Sequence, residues 1–207
     1  MLDPTNIQAT AGTGPDYLGF IFYPGSKRYV GENADESLFR MVPPEIAKVG
    51  VFVNETTDKL LELAGRLDLQ VIQLHGNEKP DYCAAIRLAG YRVIKAFGIE
   101  TEHDFDSLFR YAPVCDYFLF DSGSDMYGGS GIRFNWDYLR QYQEKVPFFL
   151  SGGISPGDTG TIREIKHPDF FAVDINSRFE TRPGVKDIEM VRSFIEEIKD
   201  KKHEVFG

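Results

Sequence analysis

Seven short apolar runs, each followed by a stretch of helical period and recurring every 20 to 32 residues, predict an α/β fold of parallel strands joined by right-handed crossovers. Polar residues close these runs: Asn54, His75, Lys95, Asp121, Ser151 and Asp174 with Asn176. Their recurrence at strand C-termini, and the lack of a glycine fingerprint after the first run, favour a (β/α)₈ TIM barrel over an open doubly wound sheet. The count is seven strands and eight helices, so the expectation is a barrel whose first strand is missing from the chain.

The chain starts MLDP, and Asp3 followed by Pro4 reads as a helix start: a side-chain cap, then a residue whose missing N–H costs nothing in the first turn. That surplus helix covers 3–13. The strands are DYLGFIFY (16–23), KVGVFVN (48–54), VIQLHG (71–76), YRVIKAFG (91–98), DYFLFDS (116–122), PFFLSGG (147–153) and FFAVDIN (170–176). Each is rich in β-branched or aromatic residues and ends in a polar or glycine-containing turn. Between them lie TTDKLLELAGRL, KPDYCAAIRLAG, EHDFDSLFRYA, WDYLRQYQEK, DTGTIREIKH and DIEMVRSFIEEIKDKK, with helix-like apolar spacing and charged opposite faces. A further helix falls near 34–47.

Composition excludes several function classes. A chain of 207 residues, 42% hydrophobic and 27% charged, is long enough to bury a large core, and a single domain over 1–207 is expected. The net charge of −9 is spread without a basic run, which argues against nucleic acid or an anionic membrane as partner. An anionic ligand then needs locally built positive sites. No apolar stretch approaches the roughly 20 residues of a membrane span, so the expected setting is cytoplasmic. Cys83 and Cys115 make neither a disulfide framework nor a metal cluster.

The stretches that carry chemistry fall at the strand ends. SGGIS (151–155) and FAVDINSRFE (171–180) stand where the last two strands of a barrel end, and small turns there expose backbone N–H groups suited to phosphate. Gly152, Gly153, Asn176 and Ser177 are the candidate phosphate ligands. The glycine-containing loop SGSDMYGGSGIRF (122–134) is long enough for a lid or substrate clamp. Asp121 ends an apolar run at the pocket rim, where a partly desolvated carboxyl group suits a general acid. His75 ends VIQLH in the same way and either orients a substrate or is a satisfied core imidazole. Arg28, in YPGSKRYV, offers a planar guanidinium for a carboxylate.

FIFYPGSKRYV, KVGVFVNE, VIQLHGNE, VIKAFG, LFDS with YGGSG, FLSGGISP and FAVDINSRFE, in this order and spacing, resemble the phosphoribosylanthranilate isomerases of tryptophan biosynthesis across nearly the whole chain. The resemblance implies a barrel that needs no cofactor, takes a small phosphosugar and converts N-(5-phosphoribosyl)anthranilate to its 1-deoxyribulose isomer by an Amadori rearrangement. By position, Asp121 falls on the general acid and Arg28 on the residue that grips the anthranilate carboxylate. Gly152, Gly153, Asn176 and Ser177 fall on the phosphate site, and Asp174 on a carboxylate at the pocket floor. The chain reads NSRFE where many relatives have a serine pair and a glycine; Arg178 there either adds charge to the phosphate site or points away.

The resemblance also implies a first strand ending in Cys-Gly just before Met1, its cysteine being the general base. The expectation is therefore a start set at an internal Met, a chain with little isomerase activity, and two facing unpaired strand edges prone to self-association. The alternative is a non-catalytic phosphosugar-binding relative. Neighbouring phosphosugar barrels are disfavoured, because neither catalytic lysines with an extra N-terminal segment nor a paired-aspartate arrangement is present.

Overall fold

The computed structural model describes residues 3–122 and 134–199. Helix α1 (Pro4–Ala11) begins as its sequence predicts: the Asp3 carboxylate accepts the Asn6 N–H at 2.8 Å, with Pro4 in the first turn. Seven strands follow: β1 (Tyr17–Ile21), β2 (Ala47–Phe52), β3 (Val71–Leu74), β4 (Arg92–Ile99), β5 (Tyr117–Ser122), β6 (Phe148–Leu150) and β7 (Phe170–Val173). They form one sheet in chain order, every neighbouring pair parallel. An unbroken order of this kind means that the winding never reverses, as in a barrel. All seven predicted strands are present.

Strand alternation divides the core into two layers. Val49, Val71, Ile94, Ala96, Leu119 and Phe149 fill the inside of the curl. Phe20, Phe52, Ile72, Leu74, Phe118 and Phe120 point the other way, into the larger layer beneath the helices. Those helices include α2 (Glu36–Arg40), α3 (Thr57–Arg66), α4 (Pro80–Leu88), α5 (Thr159–Glu164) and α6 (Ile188–Lys199). None among the described residues is long and apolar enough to cross a membrane.

Two expected helices are 3₁₀ rather than α, over Glu102–Arg110 and Trp136–Gln141. The first carries Asp104, Asp106 and Ser107, weak α-formers that compete for backbone groups. Asp104 takes the Thr101 and Glu100 N–H groups in a capping box, and the buried pair Phe105 and Leu108 stands at the three-residue spacing that a 3₁₀ turn aligns. A small antiparallel hairpin, β8 (Glu180–Arg182) and β9 (Val185–Lys186), follows β7 and was not among the expected elements. Residues 123–133 of the expected lid lie outside the described residues.

Among the described residues the sheet does not close, because β1 and β7 each pair on one side only. The outer layer does close. Helix α6 packs on α1, Lys199 Nζ donates to the Gly14 carbonyl at 2.8 Å, and the Asn6 side chain exchanges two 2.8 Å hydrogen bonds with the backbone of Lys186. A ring of helices thus surrounds an inner wall with one slot in it.

Candidate functional site

A cavity of about 830 Å³ occupies the inside of the curl, and all eight residues singled out from the sequence border it: Asp121, Arg28, His75, Asp174, Gly152, Gly153, Asn176 and Ser177. The same cavity runs into the slot, where Ile162, Val191, Phe194 and Ile195 replace a strand as its wall. Thr10 and Arg163 border it too, and their Oγ1 and Nε atoms are buried with no hydrogen-bond partner among the described residues.

Asp121 is the penultimate residue of β5, its Oδ1 accepting the Ser122 N–H at 2.8 Å and its Oδ2 at 3.4 Å from His75 Nε2. On the far side of the imidazole, Gln73 Nε2 lies 2.9 Å from His75 Nδ1. An amide N–H donated to Nδ1 makes that nitrogen the acceptor and leaves the ring proton on Nε2, facing the carboxylate. Gly152 closes the group from β6: its φ is +84°, and a Cβ there would stand 2.6 Å from Asp121 Oδ1 and 2.5 Å from Ser122 N. Only glycine lets this turn approach the carboxyl group so closely. Gly153, at φ 64°, continues the same left-handed turn.

Asp174, after β7, accepts the Ser151 hydroxyl at 3.0 Å. It borders the cavity on one side and is enclosed by protein on the others, and this burial raises its carboxyl pKa. Beyond it, Lys186 Nζ donates to Asn176 Oδ1 at 2.8 Å, to the Asn176 carbonyl at 3.1 Å and to Glu180 Oε1 at 3.3 Å. Burial lowers the Lys186 pKa despite its acidic neighbours. Glu180 Oε2 in turn receives Arg28 Nη2 at 2.6 Å and Nε at 2.9 Å. Burial opposes ionisation of Glu180, yet the Arg28 and Lys186 cations outweigh it and hold its carboxyl below the ordinary range.

Residues 2–197 match the family described as N-(5'-phosphoribosyl)anthranilate (PRA) isomerase. The chain belongs to that family. A curated N-(5'-phosphoribosyl)anthranilate isomerase from Phocaeicola vulgatus is 44% identical over 201 residues, covering 97% of this chain and 96% of its own. The crystal structure of phosphoribosyl anthranilate isomerase from Thermotoga maritima superimposes with a TM-score of 0.84 at 33% identity, over 96% of this chain and 95% of that one. A phosphoribosyl anthranilate isomerase solved with reduced 1-(o-carboxyphenylamino)-1-deoxyribulose 5-phosphate gives 0.80 at 31%, with coverage of 96% and 95%. The seven-stranded curl is therefore the (β/α)₈ architecture of these isomerases, with the slot between β1 and β7 at the place of one strand.

Not every polar strand end borders this cavity. Lys95 faces outward, 3.2 Å from Glu78 and donating to the carbonyls of Leu74, Gly76 and Ala96. Its strand register decides this, since Ile94 and Ala96 on either side fill the inner layer. Asn54 serves the same outer cluster: its N–H goes to Glu78 and its Oδ1 caps the Asn77 N–H. Arg178 is exposed and lies off the cavity wall. Cys83 and Cys115 hydrogen-bond to each other in the core, away from the cavity-lining residues. Sequence reasoning passed over Gln73, Glu180 and Lys186. The Pro183-Gly184 pair between the last two was the available signal, a turn that sets Glu180 opposite Lys186.

Proposed function

We propose that the chain binds N-(5-phosphoribosyl)anthranilate, as a single barrel domain in the cytoplasm, and that its site is built for isomerisation to 1-(2-carboxyphenylamino)-1-deoxyribulose 5-phosphate in tryptophan biosynthesis. The observation that carries this reading is the convergence of all eight sequence-predicted residues on one cavity at the strand C-termini. Asp121 protonates the furanose ring oxygen; the C1′–O4′ bond breaks as the anilino nitrogen lone pair forms the Schiff base. His75 orients that carboxyl group from 3.4 Å. Arg28 receives the anthranilate carboxylate, and Gly152, Gly153, Asn176 and Ser177 receive the phosphate. Asp174 and Ser151 form the floor between them.

The second step removes a proton from C2′ to give the enolamine that becomes the ketone, and it needs a base within about 3 Å of that proton. Neither thiol of the described residues borders the cavity. We expect the second step to be slow wherever the described residues alone supply the base, which leaves ligand binding, the behaviour of a phosphosugar-binding relative. An apolar strand ending Cys-Gly and placed between β1 and β7 would carry a thiol to the same rim and supply that base. Left open, the two edges template pairing with a second copy, so self-association that rises with concentration is expected in sedimentation.

The test follows substrate loss with the chain as it stands, with the added strand, and with Asp121→Asn in the extended protein. The expected order is slow, fast, slow. Equal turnover with and without the strand removes the assignment of the base, and a chain that fails to bind the reduced product analogue removes the reading altogether.

A further inference from the structure

We propose that the β8–β9 hairpin is a two-ended anion clamp: Glu180 presents Arg28 to a carboxylate, while Lys186 sets Asn176 and Ser177 for a phosphate. The proposal rests on the phosphoribosylanthranilate reading and names the residues that make one site select a ligand with both anions.

Glu180 and Lys186 stand opposite each other in the antiparallel register of the hairpin. Each reaches sideways to a different wall of the cavity. Glu180 engages Arg28 along its Nε and Nη2 edge, with side chains 3% and 13% exposed. A guanidinium has five N–H donors in a fixed fork, so a side-on partner fixes its plane. Among the described residues Nη1 carries no hydrogen bond, and Arg28 borders the cavity. A second carboxylate then meets a guanidinium already oriented, with most of the side-chain ordering completed before it arrives.

Lys186 works differently. An ammonium has three N–H donors, and here they meet three acceptors, two on Asn176 and one on Glu180. It is therefore a positioning residue rather than a ligand-binding cation. Fixing Asn176 Oδ1 directs the amide NH₂ away from Lys186, and it holds Asn176 at φ −139°, ψ −99° at the start of the Ser177–Phe179 turn. The Lys186 backbone is itself stapled to Asn6 of α1 in both directions. Glu180 also lies between two cations that repel each other, so both ends of the clamp depend on one carboxylate.

The experiment measures binding by calorimetry of three probes: reduced 1-(o-carboxyphenylamino)-1-deoxyribulose 5-phosphate, its counterpart lacking the carboxylate, and its counterpart lacking the phosphate. The parent chain is expected to prefer the full ligand over the decarboxylated one by roughly tenfold or more, the scale of a charge-assisted hydrogen bond. E180Q should collapse that preference to within about threefold while K186M keeps it; K186M should reduce the preference for the phosphorylated probe. A merely structural role would weaken all three probes alike and leave both ratios unchanged, which overturns the clamp. If E180Q does not fold, the K186M ratios decide by themselves. A parent that binds the full ligand while both variants keep its ratios sinks the clamp alone; a parent that binds none of the probes sinks the isomerase reading and the clamp with it.

Discussion

Gly152→Ala tests whether the turn after β6 and the Asp121 carboxyl group behave as one unit. At φ +84° an L-residue costs about 1–2 kcal/mol. The added Cβ would stand 2.5 Å from Ser122 N and 2.6 Å from Asp121 Oδ1, where ordinary contact begins at 3.4 Å. Ser122 N is backbone and cannot swing aside, so the end of β5 or the turn must move by close to 1 Å, an overpacking cost of about 1–3 kcal/mol. Together these lower stability by roughly 2–5 kcal/mol, a fall in Tm of roughly 4–20 °C for a chain of this size. The same shift breaks the 2.8 Å bond from Ser122 N–H that holds the carboxylate. Thermal unfolding and calorimetric binding of the reduced product analogue read the two effects. A variant with an unchanged Tm and an unchanged Kd would refute the close packing of turn on carboxylate.

Other substitutions probe the frame around that site. Gly160→Ala in α5 has open space for its Cβ and no left-handed backbone, so it should gain about 0.5–1 kcal/mol in denaturant unfolding; a loss would mean that the helix is misread. Lys95→Met strands Glu78, whose side chain is 2% exposed, and should cost about 3–5 kcal/mol, part of which Glu78→Gln recovers in the double variant. Strictly additive losses would show that the two are not a pair. Asp174→Asn reports the raised carboxyl pKa. Stability linked to a raised group is complete below the usual Asp value of 3.8 and is lost as pH rises through the folded value, so the advantage of Asn over Asp should widen from acid towards neutral pH. A difference that stays flat with pH would contradict it.

The strands and the start of α1 were legible because their signals are local: apolar runs of fixed length, an Asp-Pro cap, polar residues at strand ends. That the eight candidate residues border one cavity was legible for a related reason, since strand C-termini converge wherever a sheet curls into a barrel. What could not be read was which face a residue takes and whom it meets. Lys95 lay at a strand end like His75, but the alternation of β4 turned it outward onto Glu78. Arg28 was read as a guanidinium for a ligand carboxylate, whereas its partner in the structure, Glu180, lies far along the chain, beyond β7. The 3₁₀ turns at 102–110 and 136–141 kept their apolar spacing and differ from α-helices in hydrogen bonding, which spacing does not encode.

The rim of the cavity is held together by an ion pair and side-chain hydrogen bonds where the sheet is not. Between β1 and β7 no ladder hydrogen bond exists among the described residues, yet Arg28 after β1 meets Glu180 after β7 at 2.6 Å, and Asn6 before β1 meets Lys186 at 2.8 Å. These contacts cross the open edge at the face where ligand would enter. In the proposed function a ligand carboxylate would share the guanidinium that performs this bridging, so ligand binding and closure of the rim would draw on one group. If the carboxylate adds to the Nη1 edge, it tightens the rim and should slow exchange of the β1 and β7 amides; if it displaces Glu180, the same amides should exchange faster. Hydrogen exchange with and without the reduced product analogue separates the two, and the side-on geometry of Glu180 on Nε and Nη2 favours the first.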